Sequence, residues 1–264
     1  MSLAGAQSNL WAVEGGNKLI CSNLLKLART NLVEARVTSV SLHGSENKAL
    51  YQVKYEQDKE QGLSFYDIVV IAAPLHQGMT NVSFENFEPP IKDFPGQYHH
   101  TITSIIHGYL NSSYFGFDDP KLFPFASILT TDLPNLFFNS IENICPVNIS
   151  DGFRRKQPQE AAIWKVFSQE PLIKHELKTL FRSYYSVQVT DWAAYPHYDA
   201  SVTVPSIVLH DNLYYVNGIE WAASSMEMAA VAAKNVALLS YNRWFQYLDM
   251  IDQKDLMHKV KTEL

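Results

Sequence analysis

The stretch "NGIEWAASSMEM", Asn217 to Met228, carries the residue types with the most chemical potential in this chain. It follows the apolar run "LYYV" and leads into "AAVAAKNVALL". Strand, tight turn and helix opening in that order present a helix N-terminus to whatever lies ahead of it. Ser224-x-x-Glu227 has capping-box spacing, the hydroxyl taking the N3 amide and the carboxylate reaching back to the cap amide. Ala222 and Ala223 are small enough to let a large planar ring approach the backbone. The first amides of such a helix lack intrahelical acceptors and sit at the positive end of the helix dipole. Spacing alone is equally met by an ordinary capped helix packed on a strand.

Other chemistry-bearing candidates are fewer. Tyr195 and His197 fall in "WAAYPHY", where a histidine flanked by aromatics serves either as a structural ring or as a catalytic one. Asp118-Asp119 reads as a turn. No His/Cys/Asp spacing suggests a metal, and no G-x-S-x-G nucleophile motif occurs. Cys21 and Cys145 are the two cysteines; they make no disulfide framework and read as two buried thiols.

The elements that position these residues come from a chain of 264 residues, 47% hydrophobic, 18% charged and 12% aromatic. That composition builds a sizeable core and excludes a disordered chain. A formal net charge of -6 and no Lys/Arg-rich block argue against nucleic-acid binding. No apolar run approaches the length of a transmembrane segment. "MSLAGAQSNLWAVEGG" shows no basic region followed by an apolar core, so no signal peptide is visible. The tail "KTEL" reads as a helix end.

Along the chain, "GGNKLICSNLLKLAR" opens with a Gly pair and spaces Leu19, Ile20, Leu24 and Leu27 as a helix. "RVTSVSL" and "LYQVKYE" form a strand pair around the turn-rich "HGSENKA", with Tyr51, Val53 and Tyr55 on one face. "QDKEQGLS" reads as a polar loop and "FYDIVVIAAP" as a central buried strand ended by Pro74. From about His76 to Pro205 prolines recur, as in "EPPIKDFPG" and "DDPKLFPF". There "TITSIIHGYL" is a strand candidate and "PLIKHELKTLFRSYYSV" an amphipathic helix candidate. Three N-x-S/T sequons, at Asn81, Asn111 and Asn148, favour a secretory protein. "PSIVLHDNLYYVNGIE" gives two strands around Asp211-Asn212, and a long helix follows from about Ser225 to Ser240.

These segments in this order resemble the later portion of the flavin amine oxidase superfamily. "AGAQSNLWAVEGGNKLICSNLL", "FYDIVVIAAPL", "WKVFSQEPL", "WAAYPHY", "LHDNLYYVNGIEWAASSMEMAAVAAKNVALL" and "MIDQKDLMHKVKTEL" are similar to the prenylcysteine oxidase family, across essentially the whole chain. The resemblance implies an α/β plus α+β fold: an incomplete two-domain, FAD-dependent, amine-oxidase-like architecture lacking the N-terminal βαβ dinucleotide motif. Residues 1-75 would be part of the FAD-binding domain, 76-204 the substrate domain, and 205-264 the closing strands and helix of the FAD-binding domain. Family members begin with a signal peptide and a G-x-G-x-x-G turn that cradles the pyrophosphate. Neither occurs here, so the expectation is an N-terminally truncated chain.

By the same resemblance, the Met226 amide faces the N1/C2=O edge of the flavin, where a helix N-terminus stabilises the reduced, anionic ring. Gly218 and Glu220 fall near the ribityl and phosphate groups, and the Val37 backbone grips the adenine. Tyr195 and His197 border the flavin, and Glu14 lies near the active site. The implied cofactor is FAD, and the partners are a prenylcysteine and oxygen. Hydride leaves C1 of the isoprenoid, water traps the thiocarbenium, and an aldehyde, cysteine and hydrogen peroxide result. The aromatic-rich "NSSYFGF", "LFPFASIL" and "NLFFNSI" read either as an isoprenoid tunnel or as core. The family's location, lysosomal or secreted, accords with glycosylation at Asn81, Asn111 and Asn148. The alternative is a non-catalytic, truncated or diverged paralogue that no longer binds flavin.

Overall fold

The computed structural model describes residues 13–45, 48–76, 78–92, 94–131, 135–146 and 148–251. The segments 1–12 and 252–264, with "AGAQSNLWA" and the "KTEL" tail, lie outside the described residues. In chain order the elements are α1 (Lys18–Leu27), β1 (Arg36–Ser45), β2 (Lys48–Gln57), β3 (Glu60–Tyr66), β4 (Val69–Ile71) and β5 (Ser83–Glu85). Then come β6 (Tyr98–Leu110), β7 (Ser127–Leu129), β8 (Ser140–Asn143), β9 (Ala162–Ser168) and α2 (Lys174–Leu180). β10 (Phe181–Pro196), β11 (Val208–His210), β12 (Leu213–Tyr215) and α3 (Met226–Trp244) complete the chain. It is a mixed α/β protein with sheets ordered β3-β2-β1-β5, β10-β6-β9-β8-β7 and β11-β12-β4. Two compact units are formed, one from residues 13–32 with His100–Ala194, the other from Val33–His99 with residues 195–251.

In the second unit, β1 and β2 pair antiparallel with Val40 opposite Val53, and β5 joins β1 in parallel. Period-2 alternation puts Tyr51 on the inner face, fully buried with Val40, Phe87 and Leu213. The Tyr51 hydroxyl donates to or accepts from Nδ1 of His210 at 2.8 Å and accepts from the Asn212 amide at 3.1 Å. Those bonds tie the hairpin to the turn between β11 and β12, and burial raises the phenol to about 12.

The polar stretch "QDKEQGLS" is not a loop. Asp58 and Lys59, at φ 50° and 70°, make a two-residue turn, and Glu60 onward returns as β3. Positive φ at both central positions matches the right-handed twist of the flanking strands, so polar composition here marks a hairpin. "FYDIVVIAAP" is likewise divided. β3 ends at Tyr66, and only Val69–Ile71 forms β4, which lies at the edge of its sheet with Val70 46% exposed. β4 pairs in parallel with β12; among the described residues it has no second neighbour.

In the first unit, β6 alternates strictly from Ile102 to Leu110, placing Ile102, Ser104, Ile106, Gly108 and Leu110 inward. Trp164 and Val166 of β9 complete that layer with Leu177, Leu180 and Phe181. The expected helix over residues 171–187 stops at Leu180. Glu176 caps its start by accepting from the Ile173 amide at 2.8 Å. From Phe181 the chain is β10, beside β6 in the sheet. Aromatic and β-branched residues crowd Phe181–Trp192, and pairing with β6 overrides the helical spacing read across them. Phe115, Phe117, Phe123, Phe137 and Phe138 all pack in or on this core. These five rings of the aromatic-rich segments are therefore core, while Tyr114 and Phe125 are 41% and 48% exposed. The helix α1 forms where expected but buries none of its residues, so Cys21 on it is exposed rather than a buried thiol, and Cys145 is only half-buried.

Candidate functional site

The closing segment folds as a strand, a short turn and a helix. β12 is fully buried. Val216–Trp221 then coils as a 3-10 helix, and α3 starts at Met226. The cap is Ser225 rather than Ser224: its Oγ accepts from the Met228 amide at 3.2 Å. Glu227 thus falls inside the first turn, where its charge complements the dipole without closing a capping box. The cap takes up one of the four leading amides, and those of Met226 and Glu227 have no intrahelical acceptor by helix geometry. Met226 is 66% exposed. The helix runs on to Trp244, past the expected end at Ser240. Ser225→Ala is expected to cost about 1 kcal/mol through the lost cap, read by thermal unfolding; an unchanged midpoint would mean water serves the Met228 amide equally well.

Tyr198, which sequence reasoning passed over, meets this helix start: its hydroxyl accepts from the Ser224 amide at 2.9 Å. Tyr195 and His197 come together through His99, whose ring stacks on Tyr195 at 5.0 Å and meets His197 edge-on at 5.2 Å. The His197 amide donates to the Gln97 carbonyl at 2.8 Å, joining the end of β10 to the start of β6. His197, Tyr198, Val202, Val204 and Trp221 border a cleft of 300 Å³.

Glu220 does not stand alone. The Tyr98 hydroxyl donates to its carboxylate at 2.7 Å. Burial first, and that bond second, hold the phenol of Tyr98 far above its ordinary pKa. Beside it, Trp221 stacks on His76 at 4.1 Å and meets Tyr98 edge-on at 5.8 Å. His76 is 1% exposed, and neither ring nitrogen makes a hydrogen bond of normal geometry. Desolvation lowers its pKa, opposed in part by the backbone of Pro95. A histidine kept neutral by burial favours the fold above the ordinary imidazole pKa of about 6.5. Below that value the unfolded chain takes up a proton that the folded ring resists, so stability falls as pH drops. We expect thermal midpoints to decline between pH 7 and pH 5 and His76→Phe to flatten that decline. An equal slope in the variant would assign the effect to other groups.

Gly218 is buried, and its bare Cα faces this chain itself: a Cβ there would lie 3.1 Å from the Pro205 carbonyl. Val37 pairs with Tyr55 in the ladder, just before a register shift that leaves Thr38 without a register partner in β2. A bulge leaves backbone groups outside the ladder, here those of Thr38 rather than of Val37. Glu14 precedes α1 in the other unit. Among the described residues no group of His, Cys, Asp or Glu could hold a metal, and no helix is long and apolar enough to cross a membrane. Sequence signals for the missed residues existed. The cluster "QYHH" opens β6, and "FPG" places Gly96 at φ +113° against the Trp221 indole.

Comparison with known proteins gives this arrangement its context. Residues 1–253 match the family model described as Prenylcysteine lyase. The chain is 66% identical over 267 residues to "Prenylcysteine oxidase 1-like" of Mus musculus, covering 100% of this chain and 54% of the relative. It is 65% identical over 266 residues to the Homo sapiens protein of the same name, with the same coverage. Identity to "Prenylcysteine oxidase 1" of Bos taurus is 45% over 270 residues, covering 53% of that relative. The chain thus spans about half the length of the curated relatives it matches.

Proposed function

Because the chain belongs to the prenylcysteine lyase family, we propose that it supplies the flavin-edge and substrate portions of an FAD-dependent oxidase that cleaves the thioether of prenylcysteines. The fold in this reading is part of a two-domain, amine-oxidase-like architecture. The observation that carries it is the open N-terminus of α3, set beside an aromatic cluster and a carboxylate fixed by a tyrosine. Those features suit the ring and ribityl end of a flavin. The residues fit that end only: the 264-residue sequence holds no G-x-G-x-x-G turn for the pyrophosphate.

When bound, FAD supplies the acceptor for a hydride from C1 of the isoprenoid, so that thioether, water and oxygen become aldehyde, cysteine and hydrogen peroxide. The chain's own residues do the rest. The Met226 and Glu227 amides, at the positive end of a 19-residue helix, stabilise negative charge at the ring edge. Tyr198 fixes the loop before that helix. Tyr98 holds one carboxylate oxygen of Glu220 and so aims the other. Tyr195, His99 and His197 form a wall that orients an apolar substrate. A thioether has no proton to remove, so no general base is required at the cleaved bond.

The same reading covers location and modification. A lysosomal or secreted protein would carry glycans at accessible sequons, and Asn81 and Asn148 are exposed. Asn111 is half-buried, and its Nδ2 donates to the Thr179 carbonyl at 2.9 Å.

The test is to express this sequence within a chain of the relatives' full length. Flavin absorbance in the purified protein, with hydrogen peroxide released on adding S-farnesylcysteine, is the expected result. A colourless protein that cannot be reconstituted with FAD would overturn the proposal.

A further inference from the structure

We propose that His76 is a positioning residue of the candidate site: held beneath Trp221, its uncharged ring sets the turn that carries Glu220 and makes that turn responsive to pH. The proposal rests on the flavin reading above, in which Glu220 lies beside the cofactor. All the residues concerned belong to the unit formed by Val33–His99 and residues 195–251.

His76 lies beyond β4, where it forms a parallel bridge with Phe94. Three rings enclose it: Trp221 stacked at 4.1 Å, Tyr98 edge-on at 5.6 Å and Phe94 tilted at 6.0 Å. A phenyl ring would fill such a nest with nothing left unpaired. A neutral imidazole brings one N–H donor and one bare acceptor nitrogen. Both are buried without a hydrogen bond of normal geometry, and so is the indole N–H of Trp221. Unpaired buried polar groups oppose folding. Breaches of this kind are expected where a residue serves function rather than packing. The stack is thus kept by ring contact alone, and no hydrogen bond locks it.

Trp221 passes the state of that ring on. It ends the 3-10 turn Val216–Trp221 and directly follows Glu220. Tyr98 spans both, edge-on to the indole at 5.8 Å and donating to the Glu220 carboxylate at 2.7 Å. Protonating His76 sets a charge and a second N–H donor among apolar rings. The charged ring must swing toward water or draw water in, and Trp221 moves with it. The titratable groups packed around the imidazole are Tyr98 of β6, Tyr215 of β12 and, behind Tyr98, Glu220. The Tyr215 hydroxyl accepts from the Leu75 amide at 3.3 Å. Burial raises both phenols, so neither ionises near neutral pH. His76 is the member of the cluster whose ordinary range lies there, and desolvation lowers it.

Two measurements test this, both on the sequence within a chain of the relatives' full length. Without flavin, the protein is labelled with 5-fluorotryptophan, and the Trp221 resonance is identified by its loss in Trp221→Phe. That resonance should shift between pH 7 and pH 5, with a midpoint below that of an ordinary histidine, and stay fixed in His76→Phe. With flavin, the FAD affinity of the parent should fall by about tenfold over the same interval, a usual size for coupling between two sites. His76→Phe should keep the pH 7 affinity and lose most of that fall. His76→Gln, also uncharged, should give an equally shallow profile from a lower starting affinity, because it offers Trp221 no ring. It decides the matter if phenylalanine is not accommodated. His99 and His197 remain in every variant, so their own pH effects cancel in the comparison. A merely structural imidazole would shift the thermal midpoint when replaced and leave both pH profiles unchanged; that result overturns the proposal. A Trp221 resonance indifferent to pH in the parent overturns it as well. A colourless protein whose Trp221 responds to His76 defeats the flavin reading and leaves the pH link standing. A yellow protein whose Trp221 does not respond defeats the link alone.

Discussion

Gly96→Ala is expected to cost about 3 kcal/mol or more and to disorganise the cluster around Glu220. Two independent penalties meet at this position. The backbone lies at φ +113°, which residues with a Cβ rarely adopt. A Cβ built there would also sit 2.2 Å from the Trp221 indole. That indole cannot simply turn away. It is 6% exposed, stacked on His76 and edge-on to Tyr98. Displacing it moves the turn that carries Glu220, so the thermal midpoint should fall by roughly 6–12 °C and the near-ultraviolet signal of Trp221 should change with it. Combining Gly96→Ala with Trp221→Leu separates the penalties. The smaller side chain relieves the collision but not the backbone strain, so the pair should be less costly than the sum of its members. Strict additivity would show that the strain alone sets the cost.

The same cluster marks the limit of what the chain's order of residues discloses. The β1–β2 hairpin, the two short strands around Asp211-Asn212 and the long closing helix are all written in local signals: alternation, a turn-rich break and a cap. Local signals fail where pairing decides. Asp58-Lys59 looks like a solvated loop because its residues are polar, yet two positive φ angles make it the turn of a third strand. Phe181–Val187 has helical spacing, yet β6 offers a partner and the segment becomes the start of a 16-residue strand. Only Ser224 has capping-box spacing to Glu227, yet the cap is Ser225, whose extended backbone at φ -149° marks the residue that leaves the helix.

The candidate site divides along the same line. Tyr195, His197, Glu220 and Met226 enter the candidate site through the family resemblance, which expects them beside a flavin. Their partners were not legible. Tyr98 and Glu220 are far apart in sequence and form one hydrogen bond. Tyr198 and Ser224 meet across 26 positions. His76 and Trp221 form a stack that no spacing rule links. Such contacts follow from which strands pair, and pairing is settled by the whole unit rather than by any window of residues.

Trp164→Ala should be among the most damaging substitutions in the other unit, at about 3–5 kcal/mol. Trp164 is 1% exposed at the centre of β9, facing Asn143 of β8 and Ile106 of β6 across the ladders. It belongs to the core with Leu180 and Phe181, and truncation would leave a cavity that three strands cannot close without losing register. Trp164→Phe should behave differently. The indole N–H is buried with no hydrogen-bond partner among the described residues, and an unsatisfied buried donor costs about 1–3 kcal/mol. Phenylalanine removes that donor while keeping most of the ring, so the lost packing is offset and the net change should stay within about 1.5 kcal/mol. Urea unfolding of the two variants beside the parent chain measures the contrast. If phenylalanine is as costly as alanine, the indole nitrogen is satisfied in solution by an internal water. If alanine costs under about 1 kcal/mol, the layer formed by β6, β8 and β9 is not the core on which this unit depends.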